Sequence, residues 1–274
     1  GEQATASGLG SLAMYLGILG GVALTPLALA RWGMRGMLLA WGMLSAVACI
    51  LFLLLAREAP EGRVLPVAAG PRPALFPGMR GMMGNRTFVL LVAVFFVGLG
   101  AFNAVTTWIE QVVKPRGFSA AQAGLVGAAM IGGGIVGAAT VPLLSDAVRR
   151  RKPFIVAALA ALVPCLVGVA LARGWGLLLV SAALFGFFLL SAGPIGFQYG
   201  AEVTRPAAEG TSNTLLLLAG QVSGILFIFG MDGLKAADGS MTVPVIAMAG
   251  LLAACAVLSL FLEESPVARP AERT

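Results

Sequence analysis

The sequence predicts an all-helical membrane protein with eight spanning helices. Of its 274 residues, 59% are hydrophobic and 11% are charged, whereas a soluble domain averages about 25% charged residues. The mean hydropathy is +0.95. Eight helices of about 20 residues need roughly 160 apolar positions, and the composition supplies about that number. A water-soluble globular domain is therefore excluded.

Eight long apolar runs mark the predicted spans. Each run is expected to be helical, because a lipid-exposed backbone must satisfy its own hydrogen bonds. The segment 57–85 holds five of the fifteen prolines and interrupts the helical pattern. It divides two helices in residues 1–56 from six helices in residues 86–264, and residues 265–274 form a tail. The runs lie at 4–30, 34–56, 87–113, 119–144, 153–172, 175–200, 211–234 and 242–262.

The basic residues indicate the orientation of the chain in the membrane. Twelve Lys and Arg lie on the side of the 57–85 linker and six lie on the opposite side, which predicts a cytoplasmic linker and a cytoplasmic C-terminus. Because these residues lie in short loops between apolar runs, the net charge of +6 does not indicate nucleic-acid binding. Fifteen Arg against three Lys favour a bacterial inner membrane.

The residue types available for catalysis and metal binding are few. The chain has no His, and its three Cys lie inside apolar runs, so we expect neither a metal site nor a cofactor. The acids within the spans are too scattered to form a catalytic site. We therefore expect the protein not to be an enzyme.

The order of two helices, a linker and six helices is typical of a six-plus-six transporter without its first four helices. Such transporters consist of two halves in parallel repeat. A shift of 206 residues places the first span on the seventh, with Tyr15 on Gln221 and Thr5 on Thr211. The chain has no initiator Met, and we expect it to be a piece of a longer protein whose four further helices complete the cavity.

The loop between the fourth and fifth spans carries Asp146 followed by Arg149, Arg150 and Arg151. An acid at a helix end can face the positive N-terminus of a neighbouring helix, and the arginines can pair with acids elsewhere. The predicted result is a latch at the cytoplasmic end, and breaking it is expected to free one helix bundle from the other. Orientation alone is the alternative, and it accounts for the arginines but not for Asp146.

A second cytoplasmic segment follows the sixth span and contains Glu202 and Arg205. Glu202 is placed to pair either with the arginines at 149–151 or with Arg205. Our hypothesis is that Glu202 and these arginines form a cytoplasmic gate that is closed in the outward-open state.

The loop at 142–152 (PLLSDAVRRRK) resembles the pattern Gly-x-Leu-Ser-Asp-x-x-Gly-Arg-Arg of major facilitator superfamily transporters. Pro142 and Arg149 stand where that family has glycines. The strings at 103–110 (NAVTTWIE) and 209–212 (EGTS) further resemble the feline leukaemia virus subgroup C receptor-related transporters, as do the strings at 115–117 (PRG) and 220–222 (GQV). The resemblance covers helices five to twelve of that subfamily. Its animal members are linked to choline, ethanolamine and haem, which implies an organic solute.

Two polar residues lie about halfway along their predicted spans. Tyr15 and Gln221 are about ten residues from the cytoplasmic end, which is roughly 15 Å at 1.5 Å per residue and near the middle of a ~30 Å core. Polar groups at this depth face protein or a water-filled cavity. The alternative role for both is a hydrogen bond between helices. By resemblance to the subfamily, Gln221 lines a choline-type site.

In the third span, Asn103, Thr106 or Thr107, and Glu110 recur at helical spacing and form one polar stripe. We expect this stripe to face the substrate cavity. Trp108 is either an interfacial anchor or a lid over a cationic substrate through a cation–π contact. Glu110 lies near the outer mouth, where it is either simply a hydrated carboxylate or, if transport is coupled to protons, the candidate residue for that coupling.

The sequence therefore predicts a transporter of a small organic solute, such as an organic cation, that works by alternating access in the lipid bilayer. The alternative is a self-contained eight-helix scaffold or receptor without transport activity.

Overall fold

The computed structural model of the protein describes residues 2–56, 81–205, 209–237 and 239–265, and for residues 2–30 it describes the backbone and only some side chains. Throughout this part the chain is helical, with short connections. A 3-10 turn at Lys114–Arg116 follows the second helix. The helices are α1 (Glu2–Leu55), α2 (Arg86–Val113), α3 (Ala120–Val148), α4 (Lys152–Leu171), α5 (Trp175–Val203), α6 (Glu209–Gly233) and α7 (Thr242–Ser259).

Seven helical segments in the described part are long and apolar enough to cross a membrane. They are Arg31–Leu55 of α1 and the six helices α2 to α7, which confirms the predicted all-helical, multi-span fold class. The first predicted span, 4–30, is helical, but most of its side chains, including that of Tyr15, lie outside the described residues.

A break within α1 separates the first two predicted spans. Gly33 has φ 65° and ψ 178°, a backbone conformation that costs glycine little because it has no Cβ. Beyond the break, the most apolar stretch of Arg31–Leu55 contains no buried residue. The exposed fractions of Leu53 and Leu54, for example, are 72% and 74%. In a membrane protein such a surface contacts lipid or other helices.

Helices α2 to α7 pack around one hydrophobic core, which includes Phe88, Leu162 and Phe185. Helices α3 and α5 approach each other closely. A Cβ added at Gly133 would overlap the main chain of Ala183. Small residues at such positions allow two helix backbones to approach closely in a membrane.

The two ends of the bundle are held by different polar side chains. At one end, Asn85 Oδ1 accepts hydrogen bonds from the N–H groups of Thr87 (3.0 Å) and Phe88 (3.3 Å), and thereby caps α2. Asn85 Nδ2 also donates to the Val203 carbonyl at 2.9 Å, which joins α2 to the end of α5. This end also carries the α3–α4 loop and is called the latch end below.

At the opposite end of the bundle, Arg116 joins α2 to α4. Its guanidinium donates to the carbonyls of Ala172 (2.7 Å), Val169 (2.8 Å) and Val112 (3.2 Å). The last carbonyls of a helix have no partner within the helix. One planar guanidinium therefore satisfies carbonyls at the C-terminal ends of two helices.

Candidate functional site

Helix α3 ends in a turn that places Arg149 in the left-handed conformation, with φ 54° and ψ 36°. In the part of the chain that the structure describes, it is the one non-glycine residue with positive φ. Its N–H donates to the Asp146 carbonyl at 3.2 Å. The glycine position of the loop pattern therefore coincides with the conformation that favours glycine, and this chain adopts the same turn with an arginine.

Arg151 lies at the centre of the latch end and is 7% exposed. Its Nη1 donates to Asp146 Oδ1 at 2.5 Å and to Ser145 Oγ at 3.0 Å. Its Nη2 donates to Glu202 Oε1 at 3.4 Å. Glu202 is also 7% exposed, whereas the Asp146 side chain is 51% exposed. One buried guanidinium thus lies between a buried and a half-exposed carboxylate, and the planar Arg head suits such a paired geometry.

The other basic residues of the predicted gate have exposed side chains, although the backbone of Arg150 is hydrogen-bonded to Ser145. Arg149, Arg150 and Arg205 are exposed. Among the described residues, the ion pairs of Asp146 and Glu202 are both made with Arg151.

Glu264, just beyond α7, caps the N-terminus of α4. Its Oε1 accepts from the N–H groups of Arg151 (2.9 Å), Lys152 (3.2 Å) and Ser265 (3.2 Å). The first N–H groups of a helix lack intrahelical partners and carry partial positive charge, so a carboxylate is favoured there. The Ser265 hydroxyl donates to Glu202 Oε2.

A second hydrogen bond from α5 reaches the same segment. Tyr199, fully buried, donates its hydroxyl proton to the Glu263 carbonyl. The α3–α4 loop, the end of α5 and the chain after α7 therefore form one polar cluster, called the latch cluster below: Ser145, Asp146, Arg151, Tyr199, Glu202, Glu263, Glu264 and Ser265.

A pair of amide side chains lies midway along α2 and α6. Asn103 Nδ2 donates to Gln221 Oε1 at 3.5 Å, the long limit of a hydrogen bond. The two helices come close enough for this contact because α6 has glycines where it faces α2. A Cβ at Gly224 would lie 2.8 Å from Asn103 Nδ2, and a Cβ at Gly220 would lie 2.7 Å from Leu99 Cβ.

The remaining polar residues of the predicted α2 stripe are distributed as follows. The Thr107 hydroxyl donates to the Asn103 carbonyl at 2.7 Å, and the Thr106 hydroxyl donates to the Phe102 carbonyl at 2.7 Å. Each hydroxyl has therefore used its one proton within α2 and retains acceptor capacity. Glu110, one turn further along the helix, is exposed.

Trp108 connects α2 to α6 near the Arg116 end. Its indole N–H donates to the Ile228 carbonyl at 3.1 Å. The ammonium of Lys235, which follows α6, lies over the ring at 5.9 Å from the centroid. The indole N–H therefore joins α2 to α6, and a cation of the chain lies over the ring face.

Comparison with known proteins identifies the family. The model of the Major Facilitator Superfamily matches residues 1–228. The chain belongs to this superfamily. An uncharacterised protein of Archaeoglobus fulgidus is 32% identical over 230 residues, which cover 83% of this chain and 100% of that protein.

Two named relatives place the chain further within the superfamily. Zebrafish solute carrier family 49 member A3 is 31% identical over 282 residues, covering 94% of this chain and 58% of that protein. The choline/ethanolamine transporter FLVCR1 of Felis catus is 30% identical over 187 residues, covering 68% of this chain and 32% of that protein. The resemblance to the feline leukaemia virus subgroup C receptor-related transporters is confirmed, and the chain spans only part of both named relatives.

Several members of the latch cluster are not predicted from the sequence. The sequence predicts that Asp146 faces the N-terminus of a neighbouring helix, but in this superfamily member Glu264 caps α4. Tyr199, Glu263 and Ser265 also join the cluster. The sequence does contain one indication of their role. Glu263 and Glu264 directly follow the last apolar run, on the side of the membrane that carries the arginines.

Proposed function

We propose that the protein carries a small organic solute across a membrane by alternating access, and that its cargo is an organic cation of the choline and ethanolamine class. The observation that carries this proposal is the amide pair of Asn103 and Gln221, which lies midway along two adjacent helices. The feline relative and two further zebrafish relatives are choline/ethanolamine transporters, which supports the choice of cargo.

The chemistry of the amide pair suits this class of cargo. An amide carbonyl oxygen accepts from a hydroxyl or a primary ammonium, and an amide NH2 donates to a hydroxyl oxygen. Polar side chains at this depth in a membrane are costly unless they meet protein or a water-filled cavity. The long 3.5 Å contact between Asn103 and Gln221 leaves hydrogen-bonding capacity on both amides for a solute.

The remaining site residues extend the proposal. We assign Tyr15 and Thr107 to the same cavity, and Trp108 to its outer rim. Glu110 is the proposed proton-coupling residue, since it is an exposed acid on the α2 stripe. Replacing Glu110 by Gln and measuring uptake against pH tests this role, and an unchanged pH profile would remove it.

The latch cluster has a structural part in the proposed cycle. Its described contacts all lie within residues 145–265, so it holds the α3–α4 loop rigidly against one six-helix bundle. The exposed face of that loop, with Asp146, Arg149 and Arg150, is the surface that meets the other bundle when the cytoplasmic side closes. We assign this end to the cytoplasm of a bacterial inner membrane, on the distribution of basic residues.

The first experiment determines the intact mass of the protein as its native host makes it. A mass above 27.9 kDa by about four helices of chain supports the twelve-helix transporter, and a mass of 27.9 kDa supports the eight-helix scaffold.

The second experiment measures uptake of labelled choline and ethanolamine by that protein in proteoliposomes. Gln221→Ala and Asn103→Ala are expected to lower uptake at least about tenfold, a loss of about 1.4 kcal/mol of transition-state binding. Gln122→Ala is the matched control, because Gln122 lies in the capping box of α3, away from the amide pair. Uptake by Gln221→Ala equal to that of the wild type would refute the assignment.

A further inference from the structure

The indole of Trp108 is held in a fixed position. Its N–H, the one hydrogen-bond donor of the side chain, is bonded to the Ile228 carbonyl at 3.1 Å. The ring also packs against the hydrophobic core. Its remaining capacity for a specific polar interaction is therefore the π face, which attracts cations.

The face of this ring is occupied by a cation of the chain itself. Lys235 Nζ lies 5.9 Å from the ring centroid, within the roughly 6 Å reach of a cation–π contact. The Lys235 side chain is exposed, so the contact between its ammonium and the ring is accessible to solvent. Its ammonium is carried on a flexible four-carbon stem and can leave the ring without unfolding any helix.

The backbone around Lys235 is fixed. Its N–H donates to the Asp232 carbonyl at 3.2 Å, and beyond it the Gly239 N–H donates to the Ala236 carbonyl at 2.8 Å. Gly239 has φ 81°, the left-handed conformation in which glycine is favoured. The loop thus holds the base of the Lys235 side chain beside Trp108, while the ammonium remains free to move.

We propose that Lys235 is an internal competitor for organic cations at Trp108, so that a cation enters the ring face by displacing the Lys235 ammonium. Two cations cannot occupy one ring face, and each excludes the other by charge repulsion and by volume. Lys235 therefore sets the specificity of the outer rim: a cation that binds an aromatic face more strongly than a hydrated ammonium gains entry. The identity of the transported cation rests on the proposed function, whereas the competition at Trp108 does not.

The test uses Trp108 as the sole tryptophan of the protein as its host makes it, with Trp32, Trp41, Trp175 and any others replaced by Phe. Quenching of its fluorescence is measured with N-methylpyridinium, an organic cation, and with neutral acrylamide. In Lys235→Gln, the ratio of the cationic to the neutral quenching constant is expected to rise about two- to fivefold, the factor given by a cation–π contact of about 0.5–1 kcal/mol.

Two matched variants separate competition at the ring from a change in net charge. Lys114→Gln removes a positive charge near the same end of α2, and the ratio is expected to stay within about 1.3-fold of wild type because the 5.9 Å contact with the ring belongs to Lys235. Lys235→Arg keeps a cation on the ring and is expected to behave as wild type. An unchanged ratio in Lys235→Gln, or an equal rise in Lys114→Gln, overturns the proposal. A rise specific to Lys235→Gln supports it. Choline is then added to the same variant. If choline does not protect Trp108 from quenching, choline is refuted as the cargo, while the competition between Lys235 and cations at the ring stands.

Discussion

Removing the charge of Glu202 is expected to destabilise the protein through Arg151. Glu202→Gln keeps the size of the side chain and an oxygen that accepts from Ser265, but it removes the carboxylate that lies 3.4 Å from Arg151 Nη2. Arg151 is 7% exposed and cannot recover its hydration by a small movement. Its remaining ionic partner is Asp146, whose side chain is 51% exposed.

The expected magnitude follows from the geometry. Two unit charges 3.4 Å apart attract each other by about 5 kcal/mol at an effective dielectric constant of about 20. Desolvation of both groups offsets much of this attraction, yet removing one partner of a buried pair costs about 3–5 kcal/mol, because the other charge stays buried. Since Asp146 still faces Arg151, we expect the low end, a loss of about 3 kcal/mol in the free energy of unfolding.

The assay is a double-mutant cycle on the free energy of unfolding in mixed micelles. Glu202→Gln is combined with Arg151→Gln, and in a control cycle with Arg150→Gln, which removes the neighbouring exposed guanidinium. We expect a coupling energy of about 2 kcal/mol for Arg151 and less than about 0.5 kcal/mol for Arg150. Equal couplings in the two cycles, or a coupling below about 0.5 kcal/mol for Arg151, would refute the placement of Arg151 between the two carboxylates.

Three further substitutions have defined expectations. Arg149→Gly is expected to stabilise the protein by about 1 kcal/mol, because a side chain in the left-handed conformation is strained; a lower unfolding free energy for the glycine variant would contradict this. Arg116→Lys should cost about 1.5–3 kcal/mol in the same unfolding assay, since an ammonium lacks the planar fork that reaches the carbonyls of two helices. Gly224→Ala places a Cβ 2.8 Å from Asn103 Nδ2, and the resulting overpacking of about 1–3 kcal/mol should raise the KM for choline uptake at least about fivefold. Gly230→Ala is its control, as a Cβ there meets no atom within 4 Å, and equal KM values would contradict the expectation.

Much of the fold follows from hydrophobic length alone. A run of about 20 apolar residues must form a helix in a membrane, so six of the predicted runs correspond to α2 to α7 without knowledge of any contact. The break after the first run is also visible, because Arg31 and Gly33 interrupt the apolar pattern where the backbone departs from helical geometry.

The partners within the latch cluster follow from tertiary geometry and not from spacing. Arg149, Arg150 and Arg151 are chemically identical, so the sequence does not show which of them pairs with the carboxylates. In the structure it is Arg151, two residues after the left-handed turn at Arg149. Glu264 caps α4 although 113 residues separate it from Arg151. A local pattern contains no information on which distant carboxylate reaches a helix N-terminus.

The cap supplied by Glu264 has a consequence for biosynthesis. Arg151, at the N-terminus of α4, is synthesised 113 residues before the residue that caps this helix. Until Glu264 is made, the N–H groups of Arg151 and Lys152 lack the carboxylate that accepts from them in the folded protein, and this corner of the bundle carries the unsatisfied partial positive charge of a helix N-terminus. Completion of the final span closes that corner.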